Sequence, residues 1–224
     1  YGGMEALAGR TGVTVAGGDI SASATFFIAI TVIGRLPAGR GAILRSGARP
    51  GHALCVTGTL GGSTAGLAVL DDPAAAEGVA AAAADEAVRR HRRPEPRLAE
   101  GRLLGGAGAT AMLDVSDGLG VDALRLARAS GVRIDVDVGR IPIDPSATAV
   151  GQALARDPLR LAWAGGEDYE LLVTLPPPTV DDVAATLPAG LTTIGRVTEG
   201  PPSVRTRSAG AAVELGDGGY MHHV

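Results

Sequence analysis

Lysine and asparagine are both missing from this chain, so all twenty of its cationic side chains are arginine. A Walker-type phosphate loop depends on its lysine. That device is excluded here, and any phosphate chemistry must rest on arginine, backbone N–H groups and metal ions. Cysteine occurs once, as Cys55, which excludes an internal disulfide. It lies in the apolar run ALCVTG and reads as a small core residue; a reactive thiol wants a cationic neighbour, and none stands beside it in sequence. Aromatic residues make up only 3% of the chain, so a hydrophobic fraction of 46% must build its core from Ala, Val, Leu and Ile. Long apolar runs are absent too. The longest, Phe26–Gly34, is too short to span a bilayer and suits a buried strand. A formal charge of −4 speaks against a general nucleic-acid binder.

What is present is an alternation of helical and strand-like segments. Tyr1–Arg10 has helical spacing that Gly12 ends. Val13–Ala16 and Phe26–Leu36 read as strands flanking a Gly17–Gly18–Asp19 turn. A helix and two strands do not complete a domain, so the chain is expected to start within one. Leu36–Pro50, rich in Gly, Pro and Arg, marks a boundary. Residues 1–40 are then the end of an N-terminal α+β domain, and residues 41–224 form a C-terminal α+β domain.

Strands are expected at Ala53–Thr57, Ala109–Val115, Val132–Val138, Tyr169–Leu175 and Thr192–Thr198, with short elements at Ser203–Arg207 and Ala211–Leu215. Helices are expected at Ser63–Leu70, Ala74–Arg90, Leu98–Leu104, Val121–Ala129, Ala147–Ala155, Pro158–Ala164 and Val180–Leu187. The fold class is α+β, with mixed-sheet layers and packed helices.

The chemistry gathers in acidic turns. In DVSDGL, Asp114 and Asp117 frame a strand-to-helix junction. Ser116 or Asp117 suits a helix cap, which leaves Asp114 without a role; the alternative is a metal or phosphate site at the helix N-terminus. In AGGEDYEL, Gly165 and Gly166 permit a tight turn with Glu167 and Asp168 at its tip. An ordinary polar turn is one reading, and a site shared with DVSDGL is the other. In AGGDI, Asp19 is either a metal ligand or a plain turn residue.

Arg45, in LRSGARPG, is either a forked phosphate ligand or a solvated arginine. Arg89, Arg90, Arg92, Arg93 and Arg97 crowd a helix C-terminus and read as a solvated end matched to the helix dipole. His91 shares that setting and reads as no ligand. His222 and His223 are adjacent and poorly placed to share a metal. Tyr220 follows two glycines and suits either packing or stacking on a heterocycle.

In this order and spacing, VAGGDI, LRSGARPGHALCVTGTLGGSTAGLAVL, RRPEPR, MLDVSDGL, GGEDYEL, IGRVTEG and GGYMHH resemble the thiamine-monophosphate kinase family. That family belongs to the superfamily of aminoimidazole ribonucleotide synthase, PurM. The resemblance implies a two-domain PurM-like architecture with a truncated N-terminal domain. It implies transfer of the γ-phosphoryl of ATP to thiamine monophosphate, with Mg2+, in a cytoplasmic homodimer that binds neither nucleic acid nor membrane.

By resemblance, Gly18, Asp19, Arg45 and Ser116 touch ATP. Asp19, Asp114 and Asp117 hold Mg2+. Glu167 contacts the thiamine moiety and Tyr220 stacks on it, and Tyr1 matches an ATP-contacting tyrosine. Ile20 stands where the family has threonine. The family's N-terminal segment, with further metal-binding aspartates, lies outside this sequence, so the 224 residues alone are expected to show little or no turnover. The alternatives are another member of the superfamily, or a truncated homologue that binds ligand without catalysis.

Overall fold

A computed structural model describes residues 2–36, 39, 41–73, 75–215 and 219. The chain divides into two units, Tyr1–Ala42 and Ile43–Val224.

In the first unit, helix α1 (Gly2–Thr11) forms where helical spacing predicts it. Its chain direction breaks at Gly12, whose φ of +70° is open to glycine at little cost. The strands expected at Val13–Ala16 and Phe26–Leu36 do not form. Phe26 and Ile33 are 89% and 92% exposed, and Phe27, Ile28, Ile30 and Val32 are exposed with them. β-Propensity describes fitness for a pleated surface that neighbours cover. Among the described residues no strand pairs with this run.

The second unit is built on one seven-stranded sheet: β1 (Ala53–Thr57), β2 (Ala111–Asp114), β3 (Arg133–Asp137), β4 (Leu171–Leu175), β5 (Leu191–Thr198), β6 (Ser203–Ser208) and β7 (Ala211–Ala212). The spatial order is β2-β4-β1-β5-β3-β6-β7. Every neighbouring pair is antiparallel except β3 and β6, which run parallel. The sheet is therefore mixed, as the α+β reading requires.

Central strand β1 is buried throughout, whereas β3 alternates: Ile134 and Val136 point inward and Arg133, Asp135 and Asp137 do not. That alternation is the period-2 signature of a strand. Between β1 and β5 the register slips from Leu54↔Gly195 to Cys55↔Thr193, a bulge that leaves Ile194 unpaired and buried.

Both faces of the sheet are covered. On one, Leu54, Val56, Leu172, Ile134 and Ile194 pack with Leu126 of α5 (Leu119–Ser130) and Trp163 of α7 (Pro158–Ala164). On the other, Cys55, Val173 and Leu175 pack with Leu104 of α4 (Leu98–Gly106) and with Val180 and Val183 of α8 (Val180–Ala184). Cys55 is thus the core residue its sequence context suggests, and burial pushes its thiol pKa up.

A third cluster joins α2 (Gly62–Asp71), α3 (Ala81–Arg92) and α6 (Pro145–Ala153) through Ala65, Ala68, Ala87, Ala147 and Val150. The single helix expected over Ala74–Arg90 is in fact two pieces, a 3-10 turn at Ala75–Gly78 and then α3. Gly78 is a poor helix former, and the backbone is extended at Ala80. The helix expected at Val180–Leu187 ends at Ala184. Among the described residues no helix is long and apolar enough to cross a membrane.

Candidate functional site

Antiparallel pairing explains how two acidic turns far apart in sequence become neighbours. β2 ends at Asp114, which faces Leu171 at the start of β4. The C-terminal end of one strand therefore lies beside the N-terminal end of the other. The ladder continues past both strands: Val115 N–H donates to the Glu170 carbonyl at 2.7 Å, Tyr169 N–H to Val115 at 3.0 Å, and Glu167 N–H to Ser116 at 2.9 Å. Gly166 allows this approach, since a Cβ there would lie 2.5 Å from the Ser116 carbonyl oxygen. DVSDGL and GGEDYEL are one hydrogen-bonded structure.

One phenol feels the charge of carboxylates from both turns. Tyr169 is half-buried, and its hydroxyl lies 3.4 Å from Glu167 Oε1. Burial raises its pKa first, and the negative charges of Glu167, Asp114 and Asp117 raise it further. Asp114 itself is exposed at the end of the edge strand.

Asp117 is paired with Arg125, which also reaches Asp122 Oδ1 at 2.8 Å. The expected cap of α5 by Ser116 or Asp117 does not form. Gly118 occupies the cap position without a side-chain bond, and buried Asp122 instead accepts the N–H groups of Ser116 and Asp117, each at 3.0 Å. A helix N-terminus was legible, but a carboxylate one turn inside the helix instead holds the two N–H groups that precede the cap. An Asp in a first turn is the signal that marks such an arrangement.

The second acidic turn has an inward side that the sequence did not reveal. Asp168 is only 8% exposed. It accepts the N–H groups of Gly61 at 2.7 Å and Ser63 at 3.1 Å, at the start of α2. Its pKa is pushed up to about 6, chiefly by burial, against the stabilising N–H groups and the charge of Arg90. The glycine turn TLGGS therefore spends its helix donors on a protein carboxylate.

Glu170, 1% exposed, is held by Arg97 through Nε at 2.7 Å and Nη2 at 2.5 Å, and by the Thr57 hydroxyl at 2.7 Å. Arg90 lies 2.9 Å from Asp144 and donates to Thr59 Oγ1 at 2.9 Å. Arg90 and Arg97 thus depart from the solvated helix end expected of their cluster. Each meets a buried carboxylate brought in from a distant turn. A small cavity between them is lined by Arg89, Arg93, Asp168 and Glu170. His91 is not free either, with Nδ1 3.0 Å from Ser63 Oγ.

Arg45 and Glu167 are exposed, and Ser116 is half-buried. Gly18 and Asp19 belong to the first unit, where Asp19 Oδ2 accepts from Ser21 Oγ at 3.0 Å. Tyr1, Tyr220, His222 and His223 lie outside the described residues. Gly219 packs at the DVSDGL turn, its Cα 3.1 Å from where a Cβ on Gly118 would stand. Among the described residues no group of three or more His, Cys, Asp or Glu side chains is placed to hold a metal ion.

Residues 49–207 match the AIR synthase related protein, C-terminal domain. The chain is 41% identical over 207 residues to thiamine-monophosphate kinase of Mycobacterium tuberculosis, covering 90% of this chain and 56% of that protein. It is 34% identical over 222 residues to that of Methanospirillum hungatei, covering 99% of this chain and 67% of the relative. Among solved structures, AaThiL complexed with AMPPCP and TMP aligns with a TM-score of 0.67 at 32% identity, over 80% of this chain and 54% of that one. Escherichia coli HypE, a hydrogenase maturation protein, shares the fold at a TM-score of 0.63 and 21% identity, over 78% of this chain and 52% of that one. The chain spans little more than half the length of several of these relatives. The joined acidic turns, the mixed sheet and these likenesses agree: the chain belongs to the AIR synthase related protein family and, within it, to the thiamine-monophosphate kinase family.

Proposed function

We propose that the protein containing this chain transfers the γ-phosphoryl group of ATP to thiamine monophosphate. An oxygen of the acceptor phosphate forms a bond to the γ-phosphorus, the bond from that phosphorus to the β-bridging oxygen breaks, and ADP leaves. The acceptor is already an anion, so no strong general base is needed, and catalysis reduces to positioning and charge neutralisation. One observation carries this reading. Two carboxylate-bearing turns are fused by backbone hydrogen bonds into a single acidic rim, in a chain whose relatives bear the name thiamine-monophosphate kinase.

Within this proposal Gly18, Asp19, Arg45 and Ser116 bind ATP, and Glu167 and Tyr220 contact the thiamine moiety. Asp19, Asp114 and Asp117 hold Mg2+. The donor set fits that ion in part. Asp114 is an exposed hard-oxygen ligand at the rim, and Mg2+ takes one or two carboxylates together with substrate phosphates rather than a full protein cage. Asp117 has to exchange its pairing with Arg125 for the metal. Bound Mg2+ supplies neutralisation of the nucleotide's phosphate charge. Arg125 also holds Asp122 Oδ1 at 2.8 Å, a contact that would keep it beside the rim as a cation. The homodimer and the cytoplasmic setting belong to the same proposal.

Titration calorimetry of the 224-residue chain tests it, with thiamine monophosphate and a non-hydrolysable ATP analogue, each with and without Mg2+. Binding of thiamine monophosphate that weakens at least ten-fold in Glu167→Gln is the expected result, on the scale of one lost charged hydrogen bond. Binding of neither ligand refutes the proposal.

A further inference from the structure

The segment Glu167–Glu170 turns its side chains alternately outward and inward. Glu167 is exposed and Tyr169 half-buried, while Asp168 and Glu170 are buried. Glu167 and Tyr169 have φ of +65° and +53°. Non-glycine residues hold that left-handed conformation only when their surroundings impose it.

The imposing contacts are visible. Glu170 is fixed by Arg97 and Thr57, but it adjoins β4 and is continuous with the sheet. Asp168 alone lies between the two left-handed residues. Its partners are the N–H groups of Gly61 and Ser63. Helix α2 has no side-chain cap of its own, because Gly61 occupies the cap position. A carboxylate remote in sequence supplies that cap and is itself held by it. The turn has no slack: a Cβ at Gly165 would sit 2.1 Å from the Leu161 carbonyl oxygen.

We propose that Asp168 is a positioning residue, which by gripping the first N–H groups of α2 fixes the left-handed turn and so presents Glu167 to the substrate. This rests on the reading that Glu167 contacts thiamine monophosphate. Asp168 does not touch the ligand; it acts through its neighbour. Asn at this position keeps the volume and one acceptor oxygen but loses the charge that two donors share.

The test is a double-mutant cycle read by calorimetry, joined to amide hydrogen exchange. Asp168→Asn is expected to weaken thiamine monophosphate binding about ten-fold and to leave ATP-analogue binding within about two-fold. In a Glu167→Gln background the same change is expected to cost nothing further. Exchange at the Glu167 and Tyr169 amides is expected to speed up, while the β1 amides stay protected. Losses that multiply instead of overlapping, equal loss of nucleotide binding, or unchanged exchange at those two amides would each overturn the proposal.

If wild type binds no thiamine monophosphate, the functional reading fails. The exchange experiment, which needs no ligand, then decides the positioning claim alone. Should Asp168→Asn not fold, Ser63→Pro removes one of the two donors at a first-turn position that tolerates proline, with Ser63→Ala as the control that loses only the hydroxyl contact to His91. It must then speed exchange at the same amides, or the proposal falls.

Discussion

Glu167 donates its backbone N–H to the Ser116 carbonyl at 2.9 Å, and through that contact two acidic turns distant in sequence become one rim. The bond is possible because β2 and β4 run antiparallel. The side chains that follow β2 and precede β4 must then meet at the same end of the sheet. Beneath the rim lies a second row of buried carboxylates, Asp122, Asp168 and Glu170, each spent on protein donors. In the outer row Asp117 pairs with Arg125, Glu167 accepts from the Tyr169 hydroxyl at 3.4 Å, and Asp114 is exposed.

The buried pair Arg97–Glu170 invites a stability test. Arg97 is the cation of a bidentate contact to a carboxylate that is 1% exposed. Truncating Arg97 to Ala leaves the buried Glu170 carboxyl without its cation, retaining the Thr57 hydroxyl. Urea denaturation should show a loss of about 3–5 kcal/mol, the usual cost of orphaning one partner of a buried pair. A loss below about 1 kcal/mol would mean that water already solvates Glu170.

Stability should also depend on pH through Asp168. Its folded carboxyl, at about 6 because of burial, keeps a proton that an unfolded Asp, near 3.9, has lost. Between those values the native state binds more protons, so the unfolding free energy falls as pH rises. The contribution is full below about pH 4 and gone above about pH 6, amounting to roughly 3 kcal/mol at most. Asp168→Asn removes it, so the stability of wild type relative to the variant should shrink over that window. A difference that stays flat with pH would contradict the assignment.

Two helical glycines should respond to alanine with opposite signs. At Gly66 in α2 a Cβ would lie 2.1 Å from the Ala87 backbone oxygen of α3, so Gly66→Ala must push two helices apart. A cost of about 1–3 kcal/mol is expected. At Gly101 in α4 the nearest atom is 3.7 Å away, at the end of Leu171. There Gly101→Ala gains helix propensity and should stabilise by about 0.5–1 kcal/mol. Paired denaturation curves check both, and equal signs would refute the packing argument.

Sequence pattern alone carried the element order of the second unit. The apolar run at Ala53–Thr57 is a buried strand, the amphipathic stretch stopped by Gly131 is α5, and Cys55 is a core residue. These follow from local periodicity and turn chemistry, which act over a few residues. The acidic turns were legible as turns for the same reason.

Only the tertiary structure decided what each carboxylate is for. Asp168 and Glu170 sit in one short motif with Glu167, yet they point inward to the start of α2 and to Arg97, because partners supplied by distant segments of the chain, and not the local pattern, fix which way each side chain faces. It also decided that Phe26–Leu36 has no partner among the described residues. A strand, unlike a helix, completes its hydrogen bonds only with chain from elsewhere, so its apolar composition stated a capacity and its surroundings determined the outcome.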